Sequence, residues 1–223
     1  MSEPRDAPPR LRLAGLYALT PDRDESDALS AAVAAAIKGG ATAIQYRNKS
    51  APHARRHDQA ARLRALCAAR DAMFIVNDDV ELAHAVAADG VHLGRDDSSV
   101  GDARAQLGPS AIIGASCYDS IDRAASAVAA GADYIAFGSF HPSATKPDAV
   151  RAQPHLLTVA RSRWPIPVVA IGGITAANAR PLIAAGADTL AVLGGLFDAA
   201  DVETAARELC ACFPRRMQAR TRR

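Results

Sequence analysis

Aromatic residues are scarce in this chain: one Trp, four Tyr and five Phe among 223 residues. A β-sandwich normally draws more heavily on them, which weighs against that class. The four cysteines, Cys67, Cys117, Cys210 and Cys212, lack the C-x-x-C spacing of a zinc site, so free thiols are expected. Cys210 and Cys212 lie two apart on an expected helix and therefore point to different faces. No apolar run reaches the roughly 18 to 20 residues of a membrane helix, because Asp, Arg, His or Gly interrupts every Ala-rich stretch. Charge of one sign is lacking too: 26 basic residues face 24 acidic ones, for a net +2. Five of the basic residues, Arg215, Arg216, Arg220, Arg222 and Arg223, crowd into the last ten, and without them 21 face 24. That tail has no interleaved aromatics, so it reads as a solvated terminus; neither a nucleic acid nor a membrane is an expected partner. Met1 to Arg10 has no apolar core and reads as neither a secretory signal nor a transit peptide, which makes the cytoplasm the expected location.

What is present is alanine, 52 residues of it, within an apolar fraction of 49%. Small residues of this kind let helices pack closely on a buried aliphatic layer. Eight short apolar runs recur: Leu16 to Leu19, Ala43 to Tyr46, Met73 to Val76, Gly90 to Leu93, Ala111 to Ala115, Tyr134 to Phe137, Pro167 to Ile171 and Thr189 to Leu193. Their hydrophobicity is continuous rather than alternating, as in parallel strands covered on both faces. Four of them follow a glycine at a helix-to-strand junction: Gly40-Ala41-Thr42, Asp89-Gly90, Gly131-Ala132-Asp133 and Gly186-Ala187-Asp188. Helices are expected between strands, among them 28–38, 54–70, 80–88, 120–130, 176–185 and 202–212, with Asp119, Ser120 and Thr175 as start signals. Eight βα units of about 25 residues each predict a single-domain (β/α)8 barrel over residues 13–213, with an N-terminal extension over 1–12 and a basic tail over 214–223. The rival, an open doubly wound sheet, calls for G-x-G-x-x-G after its first strand, where this chain has Leu19-Thr20-Pro21-Asp22.

In such a barrel the chemistry gathers at the C-terminal ends of the strands. Those ends read Gln45-Tyr46-Arg47-Asn48-Lys49, Asn77-Asp78-Asp79, Gly94-Arg95-Asp96-Asp97, Ser116-Cys117-Tyr118, Gly138 to Lys146, Gly172-Gly173 and Gly194-Gly195. Carboxylates after strands 3 and 4, with Arg47, Lys49 and Lys146 converging on them, suit a Mg²⁺–polyphosphate complex. The bland alternative is that Asp78 and Asp97 cap the helices that follow. The glycine pairs after strands 7 and 8 occupy the usual phosphate position of a barrel, although tight turns also use glycine. No Ser/His/Asp order and no H-E-x-x-H occurs. His92 lies inside strand 4 and is expected to pack in the barrel; His141 is the one histidine at the active rim.

Read together, Gln45 to Lys49, Asn77-Asp78, Gly90-Val91-His92-Leu93-Gly94 with Asp97, Gly114-Ala115-Ser116, Pro142 to Lys146 and Ala170 to Ile174 resemble the thiamine-phosphate synthase (thiamine-phosphate pyrophosphorylase) family. The resemblance implies a transferase that joins 4-amino-2-methyl-5-hydroxymethylpyrimidine diphosphate to 4-methyl-5-(2-phosphooxyethyl)thiazole, giving thiamine phosphate and pyrophosphate. It implies Mg²⁺ on Asp78 and Asp97, and Arg47, Lys49 and Lys146 as the catalytic cations. By the same resemblance Gln45, Arg47, Lys49, Asn77, Ser116 and Lys146 contact the pyrimidine diphosphate, and Ser143, Thr145, Gly173 and the Val192-Leu193-Gly194 turn hold the thiazole phosphate, with Tyr46, Asn48 and Ala144 of the same motifs as further expected substrate contacts. The chain departs from the family pattern at Asn48, where an acid is frequent, and at His141, Ser143 and Gly194, where an aromatic, Thr and Ser are. Three alternatives stay open: a thiazole tautomerase on the same barrel, a non-catalytic thiazole- or thiamine-phosphate-binding regulator, and a sugar-phosphate isomerase, for which the rim offers little general base. The oligomeric state is open as well, a homo-oligomer included.

Overall fold

The computed structural model describes residues 13–143 and 150–214. The expected N-terminal extension (1–12), most of the basic tail, and Ala144, Thr145 and Lys146 of the expected site lie outside the described residues.

Eight strands form a closed barrel in chain order: β1 (Gly15–Leu19), β2 (Ala41–Tyr46), β3 (Met73–Asn77), β4 (Gly90–Leu93), β5 (Ile112–Tyr118), β6 (Tyr134–Phe137), β7 (Val168–Ile171) and β8 (Thr189–Val192). Every neighbouring pair is parallel, including β8 with β1. Helices α1 (Ser26–Lys38), α2 (His53–Ala68), α3 (Val80–Ala85), α4 (Val100–Leu107), α5 (Ile121–Ala129), α6 (His155–Arg163), α7 (Ala179–Ala184), a single turn α8 (Gly194–Phe197) and α9 (Val202–Cys210) complete the described elements. The (β/α)8 expectation stands. Strand β5 runs three residues past its expected end, and α7 starts three residues late because Thr175 and Asn178 close a turn, with the Thr175 N–H donating to Asn178 Oδ1 at 2.9 Å. Among the described residues no helix is long and apolar enough to cross a membrane.

Two cores explain the continuous hydrophobicity of the strands. Alternate residues such as Ile44, Phe74, Val91, Ile113, Ile135 and Leu190 point outward and are sealed by Leu29, Val33, Leu63, Leu157 and Leu182 of the helices. The others, Tyr17, Leu19, Ala43, Ile75, Tyr134, Ala136, Val169 and Ala191, fill the barrel itself. Each buried aliphatic or aromatic side chain contributes about 1.5 to 3 kcal/mol. Bulky side chains inside need small ones opposite: a Cβ on Gly114 would sit 1.9 Å from the Tyr134 ring.

The lower rim is tied by a device that repeats three times. Asp89, Asp133 and Asp188 precede β4, β6 and β8, and each accepts a hydrogen bond from the backbone near the start of the preceding strand: Phe74 N at 2.7 Å, Ile113 N at 2.8 Å and Val168 N at 3.0 Å. An arginine from the helix that leads into that preceding strand pairs with each: Arg64 of α2, Arg104 of α4 and Arg161 of α6. Three of the four junction glycines, Gly40, Gly131 and Gly186, have the expected positive φ. Gly90 serves differently, since a Cβ there would lie 1.8 Å from the Ile112 carbonyl oxygen.

Candidate active site

At the mouth, strand alternation decides which side chains of a motif can meet a ligand. Gln45 of β2 points into the barrel and donates from Nε2 to the Tyr17 hydroxyl at 2.8 Å. Tyr46, one residue on, points the other way, into the outer core, and its hydroxyl donates to Gln59 Oε1 at 2.9 Å. Asn48 is buried and engaged at both ends: Oδ1 accepts from the Ser50 and Ala51 N–H groups, and Nδ2 donates to the Arg23 carbonyl and Gln59 Oε1. Tyr46 and Asn48, expected to touch substrate, thus shape the loop after β2 and do not line the mouth. The period of two along a strand is the reason for Tyr46, and the backbone groups of a tight loop are the reason for Asn48.

That loop aims Arg47 and Lys49. Thr20 is buried and holds the Arg47 backbone in both directions, its Oγ1 donating to Arg47 O at 3.0 Å and accepting from Arg47 N at 2.9 Å. Asp22 pairs with Arg47 Nη1 at 2.7 Å and accepts from Lys49 N at 3.3 Å. Thr20 and Asp22 are not among the residues expected from the sequence; the polar end of β1, Thr20-Pro21-Asp22, is the feature that points to them.

Lys49 Nζ reaches Asp78 Oδ2 at 2.9 Å. Asp78 follows β3 with φ +64, a left-handed conformation uncommon for an L-residue and best tolerated by Asp and Asn. It does not cap α3; Asp79 does, accepting from Leu82 N at 2.9 Å. Nor does Asp97 cap α4, which is capped by Ser99, while Asp97 Oδ2 accepts from Gly94 N at 2.6 Å. The bland alternative therefore fails for both carboxylates. They lie close enough to compete for one proton. Burial disfavours the charged form of Asp78, yet the Lys49 ammonium and a hydrogen bond from Asp97 outweigh it and hold its pKa below the usual carboxylate value. Asp97 is pushed up by burial and by the neighbouring Asp78 charge. Two hard oxygen ligands sharing a proton are a set that a divalent cation fits, since the cation takes the proton's place and relieves the like-charge repulsion. Among the described residues no group of three or more His, Cys, Asp or Glu is placed to hold a metal ion.

Asn77 ends β3 beside His92 in the strand register. Ser116 of β5 meets His92 Nε2 at 2.8 Å, and His92 is packed in the barrel as expected. Across the mouth, the residues after β6 run beside the end of β7: Phe140 N donates to Ile171 O and His141 N to Gly172 O. Ser143 is half-buried there. Gly173, at φ +61, admits the Pro142 carbonyl, which a Cβ would meet at 2.2 Å. Leu193 precedes the α8 turn, where a Cβ on Gly195 would lie 2.2 Å from Ile174 O. The glycines after β7 and β8 thus bring three backbone segments together. The arrangement unites Arg47, Lys49, Asp78 and Asp97 on one arc of the rim, β2 to β4, and leaves Gly173, Leu193 and Gly194 on another, β7 to β8.

Comparisons with known proteins identify the family of the chain. Residues 16–196 match the family model described as thiamine monophosphate synthase. The thiamine-phosphate synthase of Thiobacillus denitrificans is 58% identical over 199 residues, 89% of this chain and 94% of that protein. The thiamine-phosphate synthase of Chromobacterium violaceum is 55% identical over 206 residues, 92% of this chain and 98% of that protein. Among solved structures, a thiamine phosphate pyrophosphorylase from Pyrococcus furiosus superposes with a TM-score of 0.80 at 38% identity, covering 95% of this chain and 98% of its own. The chain belongs to the thiamine monophosphate synthase family.

Proposed function

We propose that this chain makes thiamine phosphate by joining 4-amino-2-methyl-5-hydroxymethylpyrimidine diphosphate to 4-methyl-5-(2-phosphooxyethyl)thiazole, with release of pyrophosphate. The observation that carries the reading is the arc on which Arg47 and Lys49 stand beside the paired carboxylates Asp78 and Asp97. Departure of pyrophosphate concentrates negative charge on the leaving group. Arg47 and Lys49, with Lys146 from the segment after β6, are assigned to receive that charge, and cations aimed in advance act without reorganising during the reaction. Mg²⁺, held by Asp78 and Asp97 when bound, would neutralise the diphosphate further. The carbocation left on the pyrimidine methylene is stabilised by the ring amine, so the protein supplies no nucleophile. The thiazole nitrogen attacks that carbon, and the protein's part is to hold the two rings in line.

The thiazole phosphate is assigned to the glycine corner of Gly173 and Gly194 with Ser143 and Thr145, where backbone N–H groups can approach an anion closely. Gln45, Asn77 and Ser116 are assigned to the pyrimidine, whose site lies between the two corners. The test is to supply both phosphorylated heterocycles, with and without Mg²⁺, and follow pyrophosphate and thiamine phosphate. Equimolar, Mg²⁺-dependent formation of both is expected. Folded protein that forms neither would defeat the reading and leave a binding protein; conversion of a thiazole phosphate alone would make it a tautomerase.

A further inference from the structure

A line of polar side chains crosses the barrel interior and joins two residues that the proposed reaction places against the pyrimidine. Gln45 Nε2 donates to the Tyr17 hydroxyl at 2.8 Å, the Tyr17 and Tyr134 hydroxyls are 3.0 Å apart, the Tyr134 hydroxyl lies 3.0 Å from His92 Nδ1, and His92 Nε2 lies 2.8 Å from Ser116 Oγ. Both tyrosines are fully buried, and that burial pushes each phenol well above its ordinary pKa, so each hydroxyl carries its proton. The rings are locked as well. Tyr134 stands edge-on to Tyr17 with centroids 6.2 Å apart, and it stacks on His92 at 5.5 Å. The missing side chain of Gly114 leaves the space that the Tyr134 ring occupies.

The chain has a direction. Gln45 donates to the Tyr17 oxygen, and if the buried Tyr17 hydroxyl is to keep its own proton partnered, that proton goes to the Tyr134 oxygen, the other described partner of that hydroxyl. A Tyr134 hydroxyl that accepts from Tyr17 has its own proton left for His92 Nδ1. In the neutral form of the ring, acceptance at Nδ1 puts the proton on Nε2, the nitrogen that faces Ser116 Oγ at 2.8 Å. Ser116 keeps its own hydroxyl proton for another partner. At the opposite end Gln45 Oε1 accepts no hydrogen bond from any described residue. The line therefore offers the pocket an acceptor at Gln45 and a donor at Ser116. A 4-aminopyrimidine, with a donor amine and acceptor ring nitrogens, complements that pair. A 4-oxopyrimidine, with an acceptor oxygen and a protonated ring nitrogen, opposes it.

We propose that Tyr17, Tyr134 and His92 are positioning residues that set the hydrogen-bond polarity of the pyrimidine pocket and thereby select an amino over an oxo substituent on the ring. The proposal rests on the reaction assigned above, and a polarity error is costly because a mismatched buried group loses its partner. The test has two arms. In full-length protein labelled with 15N-histidine, and with His92 assigned through His92→Asn, nitrogen chemical shifts are expected to place the proton on Nε2 and leave Nδ1 bare. In steady-state assays Tyr134→Phe, which keeps the ring and removes the hydroxyl, is expected to raise KM for the pyrimidine diphosphate about tenfold, the size of one lost hydrogen bond. KM for the thiazole phosphate stays put, and the preference for the amino substrate over its 4-oxo analogue falls by a similar factor. Tyr17→Phe is judged by the same criteria and stands in if Tyr134→Phe does not fold. A proton on His92 Nδ1 overturns the proposal, as does a folded variant with unchanged preference or with both KM values raised equally. Wild-type protein that forms no thiamine phosphate defeats the assigned reaction instead, and the His92 proton is read without substrate.

Discussion

Aspartates stand at both rims of the barrel, but their surroundings differ. At the lower rim Asp89, Asp133 and Asp188 each take a backbone N–H and an arginine, so every carboxylate finds complementary charge. At the mouth Asp78 sits in a left-handed conformation and competes with Asp97 for a proton, with Lys49 as the nearby cation. The lower rim is arranged for stability. The upper rim holds like charges together at a cost in stability, the usual condition of a site built for a ligand.

Breaking the mouth should affect chemistry most. Asp78→Ala is expected to lower turnover by about 100-fold or more, the scale of losing one preorganised electrostatic group, with an unchanged far-UV circular dichroism spectrum and an unchanged or raised Tm. Near-normal turnover would remove Asp78 from the mechanism. Lys146→Ala is expected to lower turnover on the same scale with an unchanged far-UV circular dichroism spectrum, and near-normal turnover would remove Lys146 from the mechanism. Asp22→Ala sharpens the contrast within the mouth: Arg47 keeps its charge but loses the partner that aims it at 2.7 Å. KM for the pyrimidine diphosphate should rise about tenfold with little change in Tm.

The converse experiment is at the lower rim. Asp133→Ala removes the acceptor of Ile113 N and the partner of Arg104, which should destabilise the fold by about 2 kcal/mol and lower Tm by about 4 to 8 °C, with both KM values unchanged. A fall in affinity without a fall in Tm would erase the distinction between the rims. The smallest effect belongs to the buried thiols. Burial raises Cys67 and Cys117 to about 12, so neither should react with a thiol reagent at pH 8 until the protein is denatured. Because the folded state disfavours their thiolates, stability should decline as pH rises above the ordinary thiol pKa. Urea titrations at pH 8 and pH 10 check that sign.

Much of the fold was legible because its strands are covered on both faces, and runs such as Met73 to Val76 have few other readings in a chain without a membrane-length segment. Asp78 and Asp97 were legible as candidates, but their separation from helix capping required seeing Asp79 and Ser99 occupy the caps. Tyr46 and Asn48 were drawn into the site by adjacency to Gln45, Arg47 and Lys49 within one motif, whereas side-chain direction alternates along a strand and reverses again in the loop. Asp22 gave no signal of its own; 25 residues separate it from Arg47, and closure of β1 on β2 brings them together.

Composition, run length and the order of the strand-end motifs by themselves determined the barrel, its direction and the family. They are local quantities, and in a parallel barrel local order becomes spatial order around the ring. Which member of each motif faces the mouth, which aspartate caps a helix, and how Tyr17, Tyr134 and His92 join β1, β6 and β4 were decided only by the tertiary structure. Those outcomes depend on strand register and on hydrogen bonds between residues far apart in the chain, which no local pattern encodes.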